Sequence, residues 1–188
     1  EVPVVIRDNR ADKVVSEWLA RLEVPYTLEL KRLGNQQDVE LLSLRLTDIR
    51  SSVTVSPTDV GFGISQLLPI IVEGQLAHDR IICIEQPEIH LHPKLQAELG
   101  DFFIETARAD KQGNQWIIET HSETLMLRIL KRIRQGRLCP DQVSVLYVES
   151  TSTGTAKIHQ LPIDKDGQFL KDWPAGFFEE SVDEFFGE

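Results

Sequence analysis

The sequence predicts an α/β fold: a parallel βαβ sheet preceded by a small antiparallel meander. Three observations predict it. Continuous apolar runs at residues 81–84 (Ile-Ile-Cys-Ile) and 116–118 (Trp-Ile-Ile) sit between polar flanks, as in parallel strands buried on both faces. Segments of helical period separate these runs from each other and from a third, residues 143–148, at the spacing of right-handed βαβ units. Upstream, residues 26–33 and 39–49 alternate apolar and polar like half-buried strands, joined by a turn at Gly34-Asn35.

In chain order, the apolar run at residues 2–6 reads as a short strand. Residues 12–22 place Val14, Val15, Trp18, Leu19 and Leu22 on one helical face, and Pro25 stops that helix. Residues 53–55 make a third meander strand, so residues 1–56 form one helix plus a meander. The texture changes at Pro57, which opens a lobe over residues 57–150. Residues 64–77 read as a helix through Leu67, Leu68, Ile71 and Leu76, with Pro69 near its first turn, where a missing N–H costs less. His92-Pro93 starts another helix, with proline at the favoured first position and an apolar stripe of Leu95, Leu99, Phe102, Phe103 and Thr106. Thr120 and Glu123 have capping-box spacing. The helix they open runs through Leu125, Leu127, Ile129, Leu130 and Ile133 to a stop at Gly136. A polar turn at residues 151–155 precedes a last strand at 157–163. Residues 151–188 are an acidic, aromatic tail region. From Asp164 it carries eight acids and two lysines, interleaved with Phe169, Trp173, Phe177, Phe178, Phe185 and Phe186, and is expected to pack on the domain.

Composition bounds the function. A chain of 188 residues is one domain's worth, able to bury roughly 70% of its unfolded surface without disulfides or metal. Two cysteines, Cys83 and Cys139, are too few for a disulfide framework and fit a reducing cytosol. The formal charge of -10 excludes a protein that coats nucleic acid over its whole surface, but not a local basic patch. No run approaches the length of a membrane span and no secretory signal opens the chain, so the expected location is the cytoplasm, with no membrane partner.

Ligands of parallel α/β sheets bind beyond the carboxyl ends of the strands. Here the first buried run ends in Glu85-Gln86-Pro87-Glu88-Ile89-His90-Leu91-His92, and the second in Glu119-Thr120-His121-Ser122. Upstream, Asp59-Val-Gly61-Phe-Gly63-Ile-Ser65-Gln66 puts two glycines before a helix, where free N–H groups and positive potential suit an anion.

As an ordered set, these three elements resemble the ATP-binding-cassette ATPases. The form Glu85-Gln-Pro-Glu-Ile-His-Leu-His-Pro93 resembles the RecF/OLD branch, relatives of SMC proteins, and the chain would be part of such an ATPase head. The tail Trp173-Pro-Ala-Gly-Phe-Phe178 is similar to a C-terminal domain of unknown function carried by bacterial OLD-like ATPases. The resemblance covers roughly residues 59–178, and weakly the meander before them. It implies ATP and Mg²⁺ as ligands, and roles residue by residue. Gly61 and Gly63 occupy the signature motif, which contacts the γ-phosphate of ATP held by the opposite subunit. The family often has Ser where Gly61 stands, and Ser65 is a substitute hydroxyl. Glu85 matches the Walker B position that holds Mg²⁺ through water, a role suited to a hard oxygen donor. Gln86 falls where the catalytic Glu usually stands. It has no titratable carboxylate and cannot act as a general base, though it can orient water. Slow hydrolysis, help from Glu88 or another group, or an engineered residue would each explain it; the first two are favoured. His90 and His92 sit where the D-loop crosses the dimer interface, and His121 matches the switch histidine that hydrogen-bonds the γ-phosphate.

No glycine in the chain opens the Gly-x-x-x-x-Gly-Lys-Ser/Thr loop that wraps the β-phosphate. With a start at Glu1 rather than Met, the expectation is the C-terminal lobe of a bacterial ATPase, inactive alone. It would be an expressed piece, a proteolytic fragment or one chain of a split protein. The expected partners are a P-loop lobe, a second head, and a nuclease or DNA, in repair or antiphage defence. Two other readings stand beside it. A metallohydrolase would use His90 and His92 with Glu85. A docking module would use Arg128, Lys131, Arg132, Arg134 and Arg137, five cations without an acid, on DNA or a partner; the same cations also complement a helix C-terminus.

Overall fold

The structure is a computed structural model that describes residues 10–36, 39–107 and 113–171. The strand expected at residues 2–6 and the Trp173-to-Phe178 motif lie outside the described residues.

Helix α1 (Arg10–Arg21) buries Val15, Trp18 and Leu19, and Leu22 is buried just past its end. It lies on the meander formed by β1 (Tyr26–Gln36), β2 (Val39–Asp48) and β3 (Thr54–Val55), paired antiparallel in that order. Two polar side chains of α1 fasten β1: Ser16 Oγ accepts the Leu28 N–H at 2.9 Å, and Asp12 Oδ2 accepts the Leu30 N–H at 3.2 Å. The turn expected at Gly34-Asn35 is instead part of β1. Gly34 pairs with Leu41 and Asn35 with Glu40, and a bulge between Arg32 and Gly34 shifts the register. Gly34 takes φ +153°, open to glycine, so the residue that reads as a turn signal supplies a bulge.

Helix α2 (Phe62–Leu76) buries Leu67, Leu68, Ile70 and Ile71 and leads to β4 (Ile81–Glu85). Helix α3 (Pro93–Thr106) follows, then β5 (Gln115–Glu119) and helix α4 (Glu123–Arg134). Strands β4 and β5 pair parallel, as the βαβ pattern requires. One core joins α1, the meander, α2 and α3. Its centre is Phe102, fully buried, with the Trp18 ring edge-on at 4.8 Å.

Two expectations fail here. The third apolar run does not extend the parallel sheet. Strand β6 (Leu146–Ser150) pairs antiparallel with β7 (Ala156–Gln160), across a turn in which the Thr151 N–H bonds the Thr155 carbonyl at 2.9 Å. Nor are β4 and β5 buried on both faces. Ile84, Trp116 and Ile118 pack toward the core, while Ile81 and Ile117 stay 65% and 55% exposed. Among the described residues only one face of this sheet is covered, so continuous apolarity here produces an open apolar face. On α4, Leu127 points outward, whereas Leu125, Leu130 and Ile133 are buried. The cap of α4 is Ser122 rather than Thr120: Ser122 Oγ accepts the Leu125 N–H at 3.0 Å, and Thr120 Oγ1 accepts the Ser122 N–H.

Candidate functional site at the strand ends

The parallel register places Glu85 beside Glu119 at the carboxyl ends of β4 and β5, both exposed on the open face. Beyond Glu85 the chain turns sharply. Gln86 adopts φ +45° and donates its N–H to the Glu119 carbonyl at 2.8 Å, and His90 adopts φ +61°. These left-handed conformations fold residues 87–91 into a tight double turn, closed by the Leu91 N–H on the Glu88 carbonyl at 3.0 Å. His92 then caps α3, its Nδ1 accepting the Lys94 N–H at 3.3 Å.

Glu88 is buried, at 8% exposure. Its Oε1 accepts the main-chain N–H of His121 at 2.7 Å, which joins the β4 loop to the β5 loop. Its Oε2 is buried without a hydrogen-bond partner among the described residues. A buried carboxylate oxygen left without a partner is costly and calls for an explanation, a catalytic or ligand-binding role among them. A cleft of about 430 Å³ opens here, with Gln86, Glu88, His90, Gln96, His121 and Ser122 among its walls.

The N-terminus of helix α2 packs against the β4 loop beside this cleft. Gly61 caps it with open space around its α-carbon. Gly63 is the point where the helix passes the β4 loop: a Cβ there would sit 2.5 Å from the His90 carbonyl oxygen. Phe62 is 76% exposed and its ring lies 5.8 Å from that of His90. The Ser65 hydroxyl donates to the Pro57 carbonyl at 2.6 Å.

The structure thus brings Gln86, Glu88, His90 and His121 into one cleft, with Gly63 packed behind it. Glu85 stands on the adjoining open face. Among the described residues no three His, Cys, Asp or Glu side chains converge well enough to hold a metal ion. The metallohydrolase set of His90, His92 and Glu85 is therefore not assembled: His92 is spent on the helix cap, and Glu85 is not among the walls of the cleft.

The α4 cations lie elsewhere. Asp101 bonds Arg128 through Nη1 and Arg132 through Nε, each at 2.5 Å, and Glu98 adds a 3.3 Å contact to Arg128. Burial pushes the Asp101 carboxyl up, but the hydrogen bonds from Arg132 and then Arg128 outweigh it and hold the group below its usual range. Arg134 Nε bonds the Asp166 carbonyl at 3.1 Å. Two of the five cations thus serve helix packing, which leaves Lys131, Arg134 and Arg137 exposed. Sequence reasoning placed Glu119 and Ser122 at the second strand end without giving either a role, and it missed Gln96. Ser122 carried a signal, a serine just before a periodic run. Gln96 carried none, because its partners are main-chain carbonyls and a distant hydroxyl.

A βαβ unit with its polar cleft at the strand ends, joined to a meander under one helix, is the fold of SMC ATPase heads, as the superpositions below show. The chain belongs to the family described as AAA ATPase domain, which matches residues 12–126, more than half of its length. Residues 138–186 match a second family, described as a protein of unknown function (DUF3696). No curated protein matches the sequence. Among solved structures, an SMC ATPase described for ATP-driven dimerization and DNA-stimulated activation superposes with a TM-score of 0.60 at 13% identity, over 98% of this chain and 97% of that one. An Smc head bound to the C-winged helix domain of ScpA gives 0.61 at 14% identity, over 82% and 43%. A Pyrococcus furiosus Smc head with an extended coiled coil, bound to the C-terminal domain of ScpA, gives 0.58 at 13% identity, over 81% and 34%. The chain spans less than half the length of the last two. Likeness at these identities is a likeness of fold.

Proposed function

We propose that this chain supplies the signature, Walker B and switch elements of an ATP site in a RecF/OLD-like ATPase, a bacterial, cytoplasmic protein of DNA repair or antiphage defence. The observation that carries the reading is the cleft at the ends of two parallel strands, where Gln86, Glu88, His90 and His121 meet beside an apolar sheet face open to a partner. The 188 residues contain no P-loop, so a P-loop lobe on another polypeptide segment completes the site, and Ile81, Cys83 and Ile117 are the face on which it docks. Burying that face follows from ordinary hydrophobic driving force.

ATP lies between two such heads and drives their dimerisation; hydrolysis resets it. Glu85, an exposed carboxylate at a strand end without an ion-pair partner among the described residues, fits a hard divalent cation and would hold Mg²⁺. Bound Mg²⁺ supplies charge neutralisation to the phosphates. Gln86 orients the attacking water, with Glu88 behind it, and His121 hydrogen-bonds the γ-phosphate. The N-terminus of α2, with Gly61, Gly63 and Ser65, faces the nucleotide of the opposite head; free N–H groups and a bare Gly61 suit close approach of phosphate. His90 and His92 line the head-to-head interface. The exposed cations Lys131, Arg134 and Arg137 remain available to DNA or to an associated nuclease.

The experiment is reconstitution. The purified chain alone is expected neither to bind ATP tightly nor to turn it over, and addition of its P-loop polypeptide is expected to restore both. Robust ATPase activity from the chain alone refutes the reading.

A further inference from the structure

Gln96 lies one turn into α3, half-buried, and uses both ends of its amide. Its Nε2 donates to the Leu91 carbonyl at 3.0 Å and, at the limit of a hydrogen bond, to the Glu88 carbonyl at 3.5 Å. Its Oε1 accepts the Ser122 hydroxyl at 2.6 Å. That hydroxyl oxygen in turn accepts the Leu125 N–H at 3.0 Å and so caps α4 directly after His121. The donor end therefore holds the loop that carries His90 and His92, and the acceptor end holds the turn that carries His121. A carboxamide offers both functions on one short planar group. Glu88 makes the second link between the same two loops, through the His121 N–H.

We infer that Gln96 is a positioning residue that ties the interface loop to the switch turn, so that pressure on residues 89–92 from a facing head is transmitted to His121. The roles given to those two loops rest on the function proposed above; the tie itself rests on the four hydrogen bonds. Two loops joined through one amide on a rigid helix form a contiguous hydrogen-bonded network, a physical path along which a displacement of one can reach the other.

Two variants separate the halves of the tie. Gln96→Met keeps length and volume and removes both functions. Gln96→Glu, ionised, keeps the acceptor for Ser122 and removes the donors. Amide exchange followed by NMR on the 188-residue chain reads the loops separately, at the Leu91 N–H on one side and the Leu125 N–H on the other. Gln96→Met is expected to speed both by about tenfold, with Phe103 in the core unchanged, and Gln96→Glu to speed Leu91 alone. Wild-type rates at both amides in Gln96→Met, or a response at only one, overturns the inference. In the complex with the P-loop polypeptide, Gln96→Met is expected to lower kcat about tenfold at unchanged KM. Wild-type turnover with an unaltered kcat in Gln96→Met refutes the coupling. A wild-type complex with no turnover refutes the proposed function instead, and the exchange rates then decide whether the tie exists.

Discussion

Replacing Gly63 with alanine tests how firmly the site loop is seated. The added Cβ would stand 2.5 Å from the His90 carbonyl oxygen and 3.2 Å from both the His90 carbonyl carbon and Leu91 Cδ2. The shortest ordinary contact is 3.4 Å, so the approach to the oxygen is too close by about 0.9 Å. The obstacle is backbone, not the end of a flexible side chain. It belongs to a residue held at φ +61°, next to a carbonyl that Gln96 holds in place. Overpacking of this kind costs about 1–3 kcal/mol. Alanine gains up to about 1 kcal/mol over glycine as a helix former, less in a first turn. The expected balance is a loss of about 1–2 kcal/mol, a fall of roughly 2–8 °C in Tm for a chain of this size. Gly61→Ala is the control, since nothing lies within 4 Å of the Cβ it would add; its change is expected within about 0.5 kcal/mol. Thermal denaturation followed by circular dichroism reads both. A Gly63→Ala protein as stable as wild type would mean that the loop yields freely, and the close-packing argument would fail with it.

Three further outcomes are expected. Ile81→Thr and Ile117→Thr, on the open sheet face, change stability by less than about 0.5 kcal/mol yet weaken capture of the P-loop polypeptide, measured by titration calorimetry; unaltered affinity would remove that face from the interface. Asp101, whose carboxyl sits below its usual range, contributes stability that is present above its unfolded value and lost as pH falls through the folded one. Urea midpoints should therefore drop between about pH 5 and about pH 3 in wild type and more shallowly in Asp101→Asn, and identical profiles would sink the assignment. Glu88→Gln keeps an acceptor for the His121 N–H, whereas Glu88→Ala leaves that N–H unpaired and should be less stable than Glu88→Gln by about 1–2 kcal/mol in thermal melts; equal stability of the two variants would mean that this hydrogen bond contributes nothing.

The parallel pair β4–β5 and the four helices were legible because period and length distinguish them: a run of four apolar residues cannot be a helix of three turns, and the stripe Leu95, Leu99, Phe102 cannot be a strand. The third run was misassigned because Val143 to Val148 has the same texture whether its neighbour is parallel or antiparallel. Only the turn at residues 151–155, which is present in the sequence, argued for a hairpin. The open face was invisible for a different reason. Apolarity reports what a surface wants to touch, and Ile81 and Ile117 stay more than half exposed among the described residues. The cleft residues Gln86, Glu88 and His121 were legible from their order along the chain. Gln96 was not, since no pattern in one dimension encodes which carbonyl a side chain will meet. Gly34 shows the converse failure, a correct signal of unusual backbone attached to the wrong device.

The two left-handed residues that bracket the β4 turn carry a warning for engineering. Gln86 at φ +45° and His90 at φ +61° each hold a side chain where glycine would sit more comfortably, by about 1–2 kcal/mol. A directed-evolution campaign that rewards heat resistance alone would meet Gln86→Gly and His90→Gly among its cheapest gains. Each step would look like an improvement in a melting curve while erasing a group that lines the cleft. A screen on this scaffold therefore needs a functional readout from its first round.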